Sequence, residues 1–312
     1  MSAFVVVNPR SGNGRTARDW KSIERKLADV YPSMRVEFSE GRGDVTDLVR
    51  EALASGATEI VAVGGDGTIN EAINGMFDEG GAIDPDAVFA FVTSGTGGDF
   101  RKSFGIEAGA EAAIARLKTA TMRPVDIGRV SCLTARGERT QRYFINIASF
   151  GLSGRVVDSV NRARVAKLFG GSFAFAFHSA TAMLRHRNVP VRLVIDGKDH
   201  GAEPISIVAV ANGQYFGGGM RVAPGARVQD GAFDIVVIGK APKGGSLAKM
   251  KLIYTGEHVG EPHVRVLRGA SVVAAPVAEG RGRPVLIETD GESAGRLPAT
   301  FEILPKALNL RC

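Results

Sequence analysis

Val61-Ala-Val-Gly-Gly-Asp-Gly-Thr-Ile-Asn-Glu71 carries a β-branched apolar run straight into three glycines gathered around one carboxylate. Residues 59–63, Glu-Ile-Val-Ala-Val, are too short and too β-branched for a helix and read as a buried parallel strand. Gly64, Gly65 and Gly67 allow a sharp turn and a close backbone approach, after which Ile69, Ala72, Ile73, Met76 and Phe77 recur at helical spacing. A strand, a glycine turn and a helix N-terminus therefore follow in that order. The free N–H groups and positive dipole end of such a turn suit a phosphate, and Asp66 can hold Mg²⁺ or orient a hydroxyl there. A tight turn with a helix-capping Asp satisfies the same letters equally well.

Two further stretches favour the ligand-binding reading. Phe4-Val-Val-Val-Asn-Pro-Arg-Ser-Gly-Asn-Gly14 is another apolar strand running into a Gly/Ser loop, followed by a basic amphipathic helix over about 15–30. Val88-Phe-Ala-Phe-Val92 runs into Thr93-Ser-Gly-Thr-Gly-Gly-Asp99, and Phe100 and Phe104 begin the next helix. Three strands thus end in glycine-hydroxyl loops, and in an open parallel sheet all such ends lie on the edge where ligands bind. Neither G-x-G-x-x-G nor G-x-x-x-x-G-K-[ST] occurs at these turns, which disfavours dinucleotide and Walker sites. A triphosphate cradled by several loops fits best.

A strand at 34–38, a helix at 45–53 capped by Asp44, and helices at 99–104 and 108–118 complete an α/β unit. Ser39 ends the second strand on the same edge, where it can meet a nucleotide or simply form a turn. After Asp126 the rhythm changes. Strands at 125–131, 142–148, 189–195, 205–211, 233–238 and 272–275, linked mostly by turns, suggest an antiparallel sandwich. Helical insertions are expected at 172–186 and 246–254. The first holds Phe173, Phe175, Phe177, Ala180, Met183 and Leu184 behind Arg162, Arg164 and Lys167; it reads first as a core helix and second as a face for an anionic membrane. The expected domains are 1–128, joined by about 300–312, and 129–299.

With 312 residues, 44% hydrophobic and 23% charged, the chain has material for two globular domains and no disordered signature. Two cysteines, Cys132 and Cys312, make neither a disulfide framework nor a metal spacing, which fits a reducing, cytoplasmic setting. The first residues read as a strand and not a signal peptide, and no apolar run reaches the length of a spanning helix. A net charge of +6 suits an anionic partner, but no RNP-like pattern or basic tail supports nucleic acid.

Asn8-Pro9, Ser11-Gly12 and Gly64-Gly65-Asp66-Gly67-Thr68, followed by Asn70-Glu71, resemble the catalytic domain of the diacylglycerol kinase and sphingosine kinase family, in particular its soluble bacterial lipid kinases. The G-G-D-G-T element is shared with NAD kinases and 6-phosphofructokinases, so the resemblance implies a first domain of that α/β kind. The second half is more specific. Ala211-Asn-Gly-Gln-Tyr-Phe-Gly-Gly-Gly-Met220, Ala223-Pro224-Gly-Ala226 and Asp230-Gly231-Ala-Phe-Asp234 are similar to the lipid-kinase series N-G-x-x-x-G-G-G, P-x-A and D-G-x-x-D. Phe144–Gly151, with Asn146 and Gly151, also matches, and Asp290-Gly291-Glu292 resembles the family's D-G-E. Thr93–Asp99 departs from the usual P-x-G-T-x-N-D, with Gly98 in place of Asn and the proline missing from its position.

The resemblance implies an ATP-dependent lipid kinase using Mg²⁺. ATP is then expected on Asn8, Ser11, Gly12, Ser39, Gly64, Gly65, Asp66, Gly67, Thr68, Asn70, Glu71, Gly95 and Thr96. Asp66 is expected to align metal and phosphates, and Glu292, in a cleft between domains, to act as general base for a lipid hydroxyl such as that of diacylglycerol. A metal site thought to be structural is implied at Asp230 with the carbonyls of Arg227 and Ala232, while Asp126 could anchor a metal or a charge network. Expected partners are a lipid met by peripheral contact at the inner face of the membrane and a second copy of the chain. An NAD-kinase-like phosphotransferase and a catalytically silent nucleotide or lipid sensor are the alternatives.

Overall fold

A computed structural model describes residues 3–93, 98–162, 188–239, 247–277 and 284–312. The chain divides into two compact units, Met1–Ile127 with Pro305–Cys312, and Gly128–Leu304.

The first unit alternates strands and helices: β1 (Ala3–Val7), α1 (Ser11–Ala28), β2 (Arg35–Phe38), α2 (Asp44–Ala54), β3 (Glu59–Gly64), α3 (Asp66–Met76), β4 (Phe77–Asp78), β5 (Gly81–Ala82), β6 (Val88–Thr93), α4 (Asp99–Ser103) and α5 (Ala110–Leu117). Every residue of β1, β3 and β6 is buried, which explains their uninterrupted apolar letters: strands covered on both faces need no alternation. β1 pairs in parallel with β2 and β3, and β3 in parallel with β6. All four therefore end on one edge, at Asn8, Ser39, the Gly64 turn and Thr93. On one face Trp20, Ile23 and Leu27 of α1 and Ile114 and Leu117 of α5 pack with Val5, Val7, Val61 and Val63. A Cβ on Gly75 would come within 2.7 Å of the Val49 side chain, so that glycine lets α3 lie close against α2.

Local departures from expectation have local causes. α1 contains left-handed residues at Gly12, Asn13 and Gly14 (φ 60°, 57° and 79°), so its regular turns begin only after the loop. The residue before α2 is Gly43 and not the anticipated capping Asp44, whose carboxylate instead accepts the Glu40 N–H at 2.7 Å. Phe77 leaves the helix for an extended backbone and opens the short β4–β5 hairpin.

The chain enters the second unit along β7 (Met122–Leu133), whose residues from Gly128 onward belong to it. There follow β8 (Arg139–Phe144), β9 (Ile147–Gly151), α6 (Leu152–Arg162), β10 (Val189–Ile195), β11 (Lys198–Ala211), β12 (Phe233–Gly239), α7 (Leu247–Thr255), β13 (Val264–Gly269), β14 (Ser271–Pro276), β15 (Leu286–Thr289) and β16 (Glu292–Arg311). Within this unit the pairings are antiparallel, among them β10 with β11 and β14, β11 with β9 and β12, β12 with β13, and β15 with β9 and β16. Its core includes two stacked aromatic pairs, Phe144 with Phe233 and Phe150 with Phe301, at centroid separations of 5.7 and 5.8 Å.

The expected strand at 142–148 is two strands, because the backbone between Phe144 and Ile147 leaves the ladder to meet a side chain described below. β13 and α6 were not anticipated. Beyond Leu304 the chain returns to the first unit, and Asn309 and Leu310 of β16 pair in parallel with Val88 and Phe89. The anticipated helix at 172–186 and the loop residues Gly95 and Thr96 lie outside the described residues.

Candidate active site

The glycine turn after β3 is built by close packing. A Cβ on Gly64 would sit 2.3 Å from the Thr68 hydroxyl, so only glycine allows the first turn of α3 to fold back over the strand end. The Ile69 N–H bonds the Gly65 carbonyl at 3.1 Å and closes that turn. The amides at the start of α3 have no carbonyl four residues back within the helix and point toward the strand edge. Gly65, Asp66 and Gly67 are only half-buried, so a ligand can reach them.

The first loop comes to the same place. Asn8 donates its amide to Thr68 Oγ1 at 3.1 Å and accepts the Arg10 N–H on its carbonyl oxygen at 3.0 Å. Ser11 Oγ lies 3.4 Å from where a Gly65 Cβ would be. The third loop is tied in by Asp66, whose Oδ2 accepts the N–H groups of Gly98 and Asp99 at 3.1 and 3.2 Å. Asn8, Ser11, Gly64, Gly65, Asp66 and Thr68 are therefore one constellation, with Asp66 as its carboxylate.

Other anticipated nucleotide residues have different surroundings. Glu71 accepts the Gly43 N–H at 3.0 Å and its carbonyl accepts the Thr46 hydroxyl at 2.9 Å, so it fastens α3 to the start of α2. Asn70 is buried and takes the Asn74 amide on its carbonyl at 2.8 Å. Ser39 is buried at the end of β2, with its N–H on the Val7 carbonyl. Gly12 is exposed in the left-handed stretch of the first loop.

Among the described residues no three His, Cys, Asp or Glu side chains gather as a metal-binding group. Asp126 is fully buried and accepts the Lys306 N–H at 2.7 Å, which fastens the returning chain. Asp230 is exposed; it accepts the Ala232 N–H at 3.3 Å and pairs with Arg268, which also reaches Asp234 at 3.3 Å, and Arg227 is exposed nearby in sequence.

In the second unit Asp290 and Gly291 form a two-residue hairpin turn between β15 and β16, both with positive φ (49° and 85°), as this turn requires. Asp290 holds it in place. Its Oδ1 accepts the N–H groups of Asn146 and Ile147 and its Oδ2 that of Ile145, all at 3.0 Å, and these bonds separate β8 from β9. Glu292, the first residue of β16, is half-buried immediately after the turn.

Sequence reasoning missed Glu288, two residues before the turn. Its side chain is fully buried; Oε2 accepts the Gly291 N–H at 2.9 Å, Oε1 bonds the Ser149 hydroxyl, and Ser149 Oγ lies 2.7 Å from Ser153 Oγ. Burial, and secondarily the charges of Asp290 and Glu292, push this carboxyl up to about 7. The available signal was a glutamate continuing the apolar run from Val285 to Ile287 as the strand's next residue. Also missed was buried Glu59, which accepts the Tyr31 hydroxyl at 2.6 Å and two Arg311 bonds at 2.6 and 3.0 Å; burial and this carboxylate push the Tyr31 phenol up.

Residues 2–130 match the family described as diacylglycerol kinase catalytic domain, and residues 146–312, more than half of the chain, match the YegS C-terminal NAD kinase beta sandwich-like domain. The chain is similar to the diacylglycerol kinase of Bacillus subtilis (strain 168), 27% identical over 300 residues that span 96% of this chain and 92% of that protein. It is 25% identical over 309 residues to the diacylglycerol kinase of Mycobacterium tuberculosis (strain ATCC 25618 / H37Rv), spanning 98% of this chain and 93% of that one. A solved structure described as a diacylglycerol kinase from Bacillus anthracis str. Sterne superposes with a TM-score of 0.73 at 23% identity, covering 99% of this chain and 96% of that one, a likeness that speaks for the fold.

Proposed function

Because the chain belongs to the bacterial diacylglycerol kinase family, with the catalytic domain and the YegS-type C-terminal domain in one polypeptide, we propose that it is an ATP-dependent lipid kinase that moves the γ-phosphoryl group of ATP to the hydroxyl of a lipid such as diacylglycerol. The observation that carries this reading is the match of both halves, supported by relatives named diacylglycerol kinase that align over more than nine-tenths of either chain. The NAD-kinase alternative is not favoured, since residues 2–130 match the diacylglycerol kinase catalytic domain. A silent sensor is disfavoured by the retained Asp66 and Glu292.

The turn after β3 fits a phosphate chain: Gly64 without room for a side chain, amides at the start of α3, and the hydroxyls of Ser11 and Thr68 beside them. Asp66 stands in a partly accessible turn and carries the hard oxygen donors that Mg²⁺ prefers, with Oδ1 itself buried. Mg²⁺, when bound, supplies charge neutralisation across the phosphates. Asp66 also fixes the loop that carries Gly98 and Asp99, so the carboxylate aligns two phosphate-facing segments at once. Glu292 accepts the proton of the lipid hydroxyl as it attacks phosphorus, and its position beside a rigid hairpin turn limits the orientations it must search. No helix among the described residues is long and apolar enough to cross a membrane. Peripheral contact through basic residues, favoured by the net charge of +6, brings the enzyme to its acceptor.

Radiolabelled ATP offered with a panel of lipids in mixed micelles, and separately with NAD, tests the reading. Label transferred to a neutral lipid supports it; label transferred to NAD alone overturns it.

A further inference from the structure

The carboxylate that the chemistry does not use stands four residues before the one it does, on the other strand of the same hairpin. Glu288 is fully buried, and among the described residues no Lys, Arg or His pairs with it. A carboxyl so placed is costly, and β15 would be cheaper to build with Val at that position. Both of its oxygens are engaged: one by the Gly291 N–H inside the turn, the other by Ser149 on β9, which continues to Ser153 in the first turn of α6. The pairing of β15 with β16 slips between Ile287 and Glu288, so the strand ladder is irregular next to the turn. Such bulges recur beside active sites, where they re-aim a side chain.

We propose that Glu288 is a positioning residue for the phosphoryl transfer: it anchors the Asp290-Gly291 turn that delivers Glu292, and it is itself held by a serine chain running from Ser149 to Ser153. The inference rests on the lipid-kinase reading above and deepens it. Ser149 has one hydroxyl proton but lies within bonding distance of both Ser153 Oγ and Glu288 Oε1, so it donates in one direction and accepts from the other. A neutral Glu288 donates to Ser149, which then donates to Ser153; an ionised Glu288 reverses the chain. In either state the second carboxyl oxygen keeps the Gly291 N–H. Among the described residues the charged groups acting on Glu288 are Asp290 and Glu292 of its own hairpin, and its contacts toward β9 and α6 are the Ser149 hydroxyl and, through it, that of Ser153.

The experiment compares Glu288→Met, which keeps the bulk and removes both bonds, with Glu288→Gln, whose oxygen can accept from Gly291 while its amide donates to Ser149. In Glu288→Met the Gly291 amide is expected to lose protection from hydrogen exchange. Its kcat should fall on the order of 10- to 100-fold with KM for ATP within about twofold, as for a catalytic group displaced by a fraction of an ångström to an ångström. Glu288→Gln is expected to restore both readouts to within about threefold of the parent. A folded Glu288→Met with intact kcat and intact Gly291 protection overturns the proposal, and so does a Gln variant as impaired as Met. If the Met variant does not fold, Ser149→Ala, which cuts one of the two bonds, should lower kcat in the same direction by less; an unchanged kcat overturns the proposal. An unmutated chain with no lipid-kinase activity overturns the functional reading instead, and Gly291 protection in the two variants then still decides whether the anchor exists.

Discussion

Asp66-Gly67 and Asp290-Gly291 are the same dipeptide in two units, and their surroundings assign them different work. Asp66 opens a helix in a half-buried turn, keeps its Oδ1 buried, and accepts two N–H groups from a neighbouring loop on its other oxygen. Asp290 occupies a hairpin turn and spends its two oxygens on three consecutive backbone N–H groups. A carboxylate whose two oxygens are both taken by fixed amides is a structural strut, whereas one set in a partly accessible glycine turn can answer to phosphate and metal. The comparison teaches that the count and direction of donors around an acid, more than the acid itself, separate ligand chemistry from scaffolding.

The largest effect is expected from Asp66→Ala. Kinase turnover should fall by at least about 10³-fold, as when a pre-organised charge partner is removed, while circular dichroism still shows the parent fold and the melting temperature drops by only several degrees for the two lost loop bonds. A folded Asp66→Ala that retains activity would make the two turns equivalent and break the comparison. Glu292→Gln comes next: ATP affinity, read by calorimetry, should persist while kcat drops on the order of 10²- to 10⁴-fold through lost proton transfer. Weakened ATP binding with turnover intact would instead make Glu292 a nucleotide or metal ligand.

Glu288→Gln sharpens the comparison through pH. The carboxyl is pushed from 4.5 up to about 7 in the folded protein. As pH rises from about 4.5 the unfolded chain releases this proton first, so the folded state loses stability until its own group titrates near 7. Integrated over that window the loss is about 3 kcal/mol. The Gln variant lacks the titration, and urea unfolding at pH 5 and pH 8 should show a smaller decline than in the parent; equal declines would assign the loss to other groups. The smallest effect is expected from Asp290→Asn, which keeps one acceptor oxygen of two. About 2 kcal/mol of stability should be lost, with faster amide exchange at Ile145, Asn146 and Ile147.

Legibility followed sequence distance. The strand expected at 59–63 is observed over Glu59–Gly64 and that at 189–195 over Val189–Ile195, because β-branched runs bounded by glycine or polar residues report on their own neighbourhood. Residues 142–148 were read as one strand because nothing nearby announces that Asp290, about 145 positions later, will remove its backbone donors. β13 escaped notice since Val266, at 45% exposed, alternates with arginines and resembles a solvated segment. Glu59, Tyr31 and Arg311 look unrelated in the sequence until the chain's last strand brings the guanidinium onto the buried carboxylate.

By itself, the sequence determined the strand-turn-helix around Asp66, the glycine loops that follow β1, β3 and β6, and the letters Asp290-Gly291-Glu292. These depend on backbone freedom, side-chain branching and periodicity, which act within a few residues. Only the tertiary structure decided which of the chain's acids lie open and which are enclosed: Glu71 fastened to α2, Asp126 to the returning strand, Asp290 to the β8–β9 break, and Glu288 buried behind the turn. Donor placement and desolvation are set by neighbours far away in the chain, 180 positions in the case of Lys306 and Asp126, and the chemical character of a carboxylate follows from them.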